Sequence, residues 1–212
     1  MDQQILKRNA DFSDNYKQKD WDKIKIPEMI DCVLKESDNI LDLGCGEGQI
    51  ITAILEKYPH KSVWGVEISP RRVEELKQAF PSGKFFCEDV CNTSLQNNFF
   101  DLAISTQVIE HLEDDKTFVK ECKRILKEGG YLYVDSVIKK PWAIYKYRYK
   151  RRFVLDPTHE REYSSQDDFL RLFKDDFRII SIKTYPVKRR LSFLTIPIPG
   201  YYIVEGLFKK IR

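Results

Sequence analysis

Seven residues, Asp42-Leu43-Gly44-Cys45-Gly46-Glu47-Gly48, set directly behind the apolar pair Ile40-Leu41, limit the possible folds of this chain more than any others. They read as a strand running into a glycine turn that opens a helix, with a carboxylate at the mouth of the turn. Glycine reaches positive φ and carries no side chain, so a ligand can lie against bare backbone there. The spacing narrows the ligand. A dinucleotide site needs G-x-G-x-x-G so that pyrophosphate sits on the helix N-terminus, whereas these glycines fall at 44, 46 and 48 behind an acid. A carboxylate in that place repels pyrophosphate and suits a cation.

The following residues continue the alternation of strand and helix. Ser62 to Ile68 reads as a second strand ending at Glu67, the place where a doubly wound sheet presents a carboxylate to ribose hydroxyls. A third strand, Phe85 to Val90, carries Asp89 near its end. Phe99 to Ser105 and Gly130 to Asp135 read as the fourth and fifth. Helical patterns lie at 26–34, 49–57, 70–79 and 114–127, the last with Phe118, Val119, Cys122, Ile125 and Leu126 at helical spacing before Gly129-Gly130. We therefore expect an α/β fold with a doubly wound, seven-stranded, mainly parallel sheet. A helix capped by Ser164-Ser165 and an antiparallel hairpin, Phe177 to Tyr185 and Tyr201 to Phe208, close it, with Pro197, Pro199 and Gly200 in the connection. The 212 residues suit a single domain with its core at 38–137, an acceptor-side insertion at 138–163 and a C-terminal helix and hairpin at 164–212.

The glycine turn resembles the first motif of the S-adenosylmethionine (SAM)-dependent methyltransferases, D/E-x-G-x-G-x-G, and matches it at every defined position. The resemblance covers about residues 38–137 and is nearest to the small-molecule enzymes of ubiquinone and menaquinone biosynthesis. It implies a Rossmann-like class I fold and SAM as cofactor. Carried onto this chain, it implies cofactor contacts from Asp42, Gly44, Cys45, Gly46, Gly48, Glu67, Ile68, Asp89, Val90, Ser105, Thr106 and Gln107. Glu67 would bind the ribose and Asp89 the adenine amino group.

On the acceptor side the same resemblance points to Glu110-His111 after the fourth strand, and to His159 and Arg161 in Thr158-His159-Glu160-Arg161-Glu162-Tyr163-Ser164. His111, His159 and Glu110 are the candidate catalytic groups. A histidine with an ordinary pKa near 6.5 is largely neutral at working pH and suits a general base; the alternative is a residue that packs beneath the cofactor. Some related enzymes bind a divalent cation through E-x-x-E-H and a later histidine. Here Gln107 replaces the first carboxylate, and an amide brings no charge to offset desolvation of the ion, so no metal is expected.

Residues 139–153 hold seven basic and no acidic side chains. Trp142, Tyr145, Tyr149 and Phe153 fall at helical spacing, so this reads as a basic helix over an aromatic stripe, placed to hold an anionic acceptor or to rest on anionic lipid. An aromatic of the Asn15-Tyr16 to Trp21 region is a further candidate to close over the cofactor.

A net charge of +3 does not by itself call for nucleic acid. Five cysteines without a CxxC pair suit a reduced compartment, and with no signal segment and no long apolar run the expected location is cytoplasmic. The function expected is O-methylation of a small or lipid-linked anionic acceptor. Two alternatives stand beside it: an RNA methyltransferase and a non-catalytic SAM-binding regulatory module.

Overall fold

The computed structural model describes residues 3–15, 26–143, 147–149, 152–154, 156, 158–191 and 194–211. Strand β1 (Asn39–Leu43) buries Ile40, Leu41 and Leu43 on both its faces, the pattern of a central parallel strand covered from two sides. It pairs in parallel with β2 (Ser62–Glu67) and β4 (Phe100–Thr106), and β2 pairs in parallel with β3 (Lys84–Cys87). Strand β5 (Leu126–Lys139) continues the parallel set beside β4. The long strands β8 (Phe177–Leu191) and β9 (Leu194–Lys210) then complete an antiparallel edge. The order β3-β2-β1-β4-β5-β9-β8 reverses direction beside β1, which opens a crevice at the carboxyl ends of the strands.

Helices α3 (Gln49–Lys57) and α4 (Pro70–Ala79) have the expected limits. Pro70 sits in the first turn of α4, where its missing amide costs nothing, and Ser69 caps the helix by accepting from the Arg72 amide at 3.1 Å. Helix α5 (Asp115–Ile125) is capped by Asp114. One apolar layer gathers Ile51, Ile54, Val73 and Leu76 against Ile40 and Leu102; the other packs Phe118, Cys122, Phe173 and Phe208 against Leu41, Ala103 and Val134. The five cysteines are free thiols, and no helix among the described residues is long and apolar enough to cross a membrane.

Four segments depart from expectation. Gln3–Asn15 forms a helix, α1, none of whose residues is fully buried. The helix expected over 139–153 is absent from its described part, where Lys139 ends β5, residues 140–143 form a turn, and the short strands β6 (Tyr147–Tyr149) and β7 (Arg152–Val154) pair; Tyr145, Lys150 and Arg151 lie outside the described residues, as do Tyr16 and Trp21. Pro197, Pro199 and Gly200 lie within β9 rather than in a connection. Before Tyr201, β9 has left β5, and Pro197 pairs only with Lys188 of β8, so the missing proline amides leave no gap in a second ladder. The helical segment expected at 26–34 is a 3-10 turn at Glu28–Ile30 followed by α2 (Asp31–Glu36), and α6 (Gln166–Leu170) follows the Ser165 cap.

Candidate active site

A cavity of about 680 Å³ opens at the carboxyl ends of β1, β2, β4 and β5. At one end the glycine turn forms its wall. Gly44, at φ 78°, donates its amide to the Val66 carbonyl at 2.7 Å, and a Cβ there would collide with Val108. No other residue fits that turn without strain. Glu67 is 4% exposed; its Oε2 accepts from the Gly46 amide at 3.0 Å, and its Oε1 from the Ser69 amide at 2.9 Å and the Ser13 hydroxyl at 2.8 Å. The carboxylate is thus fixed at the turn and covered by α1.

Asp42 lies behind it. Burial, with Glu67 and Asp135 nearby, pushes its carboxyl up to about 7, and its buried Oδ1 has no hydrogen-bond partner. A buried carboxylate oxygen facing two further acids is a place that a cation would complete. This orphaned oxygen and the bare glycine turn fit SAM, which carries positive charge on its sulfonium and ammonium groups.

Ten of the twelve residues expected at the cofactor line this cavity, including Cys45, Ile68, Asp89, Val90, Thr106 and Gln107. Gly48 and Ser105 do not. Gly48, at φ 77°, packs against Leu76 and Phe80, and the buried Ser105 hydroxyl donates to the Leu43 carbonyl at 3.1 Å, holding β4 to β1. Asp89 accepts from the Cys91 amide in the loop after β3.

At the other end, the turn after β4 and the segment 156–163 bring His111 and His159 together. Their rings meet edge to face, with centroids 4.9 Å apart. His111 Nδ1 lies 3.0 Å from the Thr158 hydroxyl and 3.4 Å from the Thr158 carbonyl, and that hydroxyl donates to Asp156 Oδ1 at 2.5 Å. With the hydroxyl proton directed at Asp156, Nδ1 carries the imidazole proton and Nε2 is the basic nitrogen. Burial, and then the neighbouring His159, lowers the His111 pKa to about 4, so the ring is neutral at physiological pH. His159 is fixed through Nδ1 by Glu162 at 2.9 Å.

Glu110 lies beneath them, fully buried, with Oε2 accepting from Ser136 at 2.9 Å. Burial raises its pKa to about 7, and its Oε1 has no partner. It does not line the cavity. Glu110, His111 and His159 each offer one ligand atom within 4.8 Å of the others. Gln107 is turned elsewhere: its backbone and side-chain amides both donate to Asp135 Oδ1 at 2.8 Å. Arg161, expected at the acceptor, instead pairs with Asp115 and donates to the Leu112 carbonyl at 3.1 Å, tying the loop to the start of α5.

Several cavity residues were not anticipated. Leu6, Asn9, Phe12 and Ser13 come from α1, where Asn9 donates to the His111 carbonyl and the Phe12 ring lies 5.6 Å from the His111 ring. Tyr133, Asp135 and Glu205 form the floor. Asp135 and Glu205 are register partners on β5 and β9, and burial pushes the Asp135 carboxyl up to about 6.

With this geometry stand the comparisons with known proteins. A family model described as "Methyltransferase domain" matches residues 41–134. A 2-methyl-6-phytyl-1,4-hydroquinone methyltransferase of Synechocystis is 32% identical over 48% of this chain and 32% of its own length. A malonyl-[acyl-carrier protein] O-methyltransferase of Ilyobacter polytropus is 26% identical over 84% of this chain and 67% of its own. A demethylmenaquinone methyltransferase of Chlamydia muridarum is 31% identical over 47% and 44%. The chain thus spans about a third to two thirds of the length of these curated relatives. A SAM-dependent methyltransferase structure from Methanosarcina mazei superposes with a TM-score of 0.67 at 21% identity, covering 89% of this chain and 99% of that one. Residues 41–134 thus match a methyltransferase domain, and the chain has the fold of a SAM-dependent methyltransferase structure.

Proposed function

We propose that the chain is a class I SAM-dependent methyltransferase of the quinone-biosynthesis type, with SAM as its cofactor, and that it methylates a hydroxyl oxygen of a small or lipid-linked acceptor with anionic character. The observation that carries this reading is that one cavity joins the cation-seeking acids Asp42 and Glu67 to the neutral base His111. SAM, when bound, supplies an electrophilic methyl group. The chain's own residues then have two tasks, to orient the acceptor oxygen and to take its proton.

His111 Nε2 takes the hydroxyl proton. The imidazolium is stabilised through Nδ1 by Thr158 and Asp156, and by the Glu110 carboxylate, which a neighbouring positive charge favours in its ionised form. His159, held by Glu162, positions the acceptor. Asp135 and Glu205 favour a reacting end that donates a hydrogen bond, since a carboxylate on the acceptor would be repelled there. The anionic part of the acceptor belongs with the basic residues of 139–153. The relatives named for a phytyl hydroquinone and for malonyl-[acyl-carrier protein] support a lipid-linked or carrier-linked molecule.

The test is S-adenosylhomocysteine release with a panel of quinols, free carboxylic acids, acyl-carrier thioesters and RNA. Turnover with a quinol and none with RNA is expected; turnover confined to a carboxylic acid or RNA refutes the acceptor reading.

A second reading is favoured by the closeness of the Glu110, His111 and His159 ligand atoms: these three residues hold a divalent cation that acidifies the acceptor hydroxyl. A chelator separates the two. Proton transfer to His111 predicts unchanged turnover, and metal ligation predicts a loss that a divalent ion restores.

A further inference from the structure

Two acid-free, basic stretches far apart in sequence meet at one end of the sheet. Residues 136–155 carry seven basic side chains, and residues 186–204 add Lys188, Arg189 and Arg190; neither run contains an aspartate or glutamate. Ten of the 36 basic residues and none of the 33 acidic ones fall there, so the rest of the chain is net negative.

The register brings the stretches together. Strand β5 continues past Asp135, on the cavity floor, to Lys139, which pairs with Tyr201 of β9. The Lys140 amide donates to the Gly200 carbonyl at 2.9 Å. Gly200 has φ 83°, and a Cβ on it would collide with Ala143 and come within 3.2 Å of the Trp142 ring, so the 140–143 turn packs directly on β9. Past this contact and a break in register between Pro186 and Lys188, residues 194–197 of β9 pair only with residues 188–191 of β8, an arm extending roughly 15 Å beyond the end of β5 at the usual rise per residue.

This arm is apolar in sequence, from Leu191 to Pro199, and is bordered by Lys188-Arg189-Arg190. Ile196 is 44% exposed and Trp142 63% exposed, while Lys188, Pro197 and Pro199 are exposed beside them. Uncovered apolar side chains, an interfacial tryptophan and a one-signed basic surround are complementary to one surface, an anionic lipid headgroup layer over acyl chains. The arm leaves the sheet at the carboxyl end, the end at which the cavity opens.

We propose that the projecting part of the β8–β9 hairpin, with Trp142 and the basic runs, docks on an anionic membrane and holds the cavity toward the bilayer. This deepens the lipid-linked acceptor reading and rests on it for the direction of acceptor loading; docking itself needs neither acceptor nor cofactor.

Co-sedimentation of the full chain with phosphatidylcholine vesicles, with and without phosphatidylglycerol, measures it. The parent should sediment with the anionic vesicles at least tenfold more strongly than with the neutral ones, and salt should weaken the binding. At about fivefold for each basic residue near an anionic surface, Lys188→Gln, Arg189→Gln and Arg190→Gln together should lower the affinity roughly a hundredfold. Trp142→Ser with Ile196→Asp should lower it about tenfold or more, and SAM affinity by calorimetry should be parental in both variants. A parent that stays in the supernatant with anionic vesicles, variants that bind as the parent does, or self-association through this face without vesicle binding overturns the proposal. Loss of SAM binding by the parent would instead refute the methyltransferase reading and leave the vesicle result to stand alone.

Discussion

His111 and His159, 48 positions apart in sequence, meet edge to face with ring centroids 4.9 Å apart, and each has its Nδ1 engaged by a different group, Thr158 for one and Glu162 for the other. Both rings are therefore oriented with Nε2 as the nitrogen available for chemistry. His111→Ala should lower kcat by about 10²-fold or more, the usual contribution of a positioned base, while SAM affinity stays within about twofold. His159→Ala should act more on the acceptor's KM. Steady-state kinetics beside SAM calorimetry separate these effects.

Thr158 supplies the hydroxyl that connects His111 to Asp156. Thr158→Val keeps the shape and removes this link, so the tautomer of His111 is no longer fixed by the hydroxyl. A fall in kcat of about tenfold is expected, with a changed pH profile and an unchanged melting temperature to within a few degrees. A parental pH profile in this variant would remove Thr158 from the proton path.

The carboxyl of Asp42, raised to about 7 by burial and then by Glu67 and Asp135, links SAM binding to pH. The free site binds a proton below 7, and a cationic ligand favours the charged carboxylate, so binding must expel that proton at low pH. Affinity should rise as pH increases toward 7 and level off above it, with a limiting slope of about tenfold per pH unit on the acid side. Calorimetry at several pH values, with Asp42→Asn giving a flat profile, measures this.

Gly44 turns the chain at φ 78° against Val108. Gly44→Ala adds both a left-handed backbone penalty of about 1–2 kcal/mol and a steric collision with Val108. The melting temperature should drop by several degrees and SAM binding should be lost, whereas Gly48→Ala, away from the cavity but packed on Leu76 and Phe80, should mainly cost stability.

The glycine turn, the strand-end acids and the limits of α3 and α4 were legible because each rests on local chemistry: positive φ, alternating or helical periodicity, a proline in a first turn. What escaped depends on contacts distant in sequence. Asp135 and Glu205 meet only through the antiparallel register of β5 with β9, 70 positions apart. Helix α1 is amphipathic but buries no residue completely, so nothing in its pattern marks Ser13 or Asn9 as covering Glu67 and His111. The aromatic spacing of 139–153 matched a helix, yet its described part is the end of β5, a turn, and strands β6 and β7, since an aromatic-rich segment takes the state that tertiary packing favours. Prolines 197 and 199 read as a connection because one-sided pairing of a strand has no signature in sequence. Arg161 sat in the right segment and was assigned to the acceptor, but Asp115 and the carbonyls before α5 hold it.

Calorimetric titration of SAM into the parent and Glu67→Ala, with NAD as the competing dinucleotide, tests the central claim most directly. Glu67 is fixed by the Gly46 and Ser69 amides where ribose hydroxyls would donate to it, and loss of such charge-assisted bonds is worth roughly 1.5–3 kcal/mol, a weakening of tenfold or more. We predict tight SAM binding by the parent, that loss in the variant, and weak NAD binding by both. Unchanged SAM affinity in Glu67→Ala, or a preference of the parent for NAD, would contradict the assignment of the cavity to SAM.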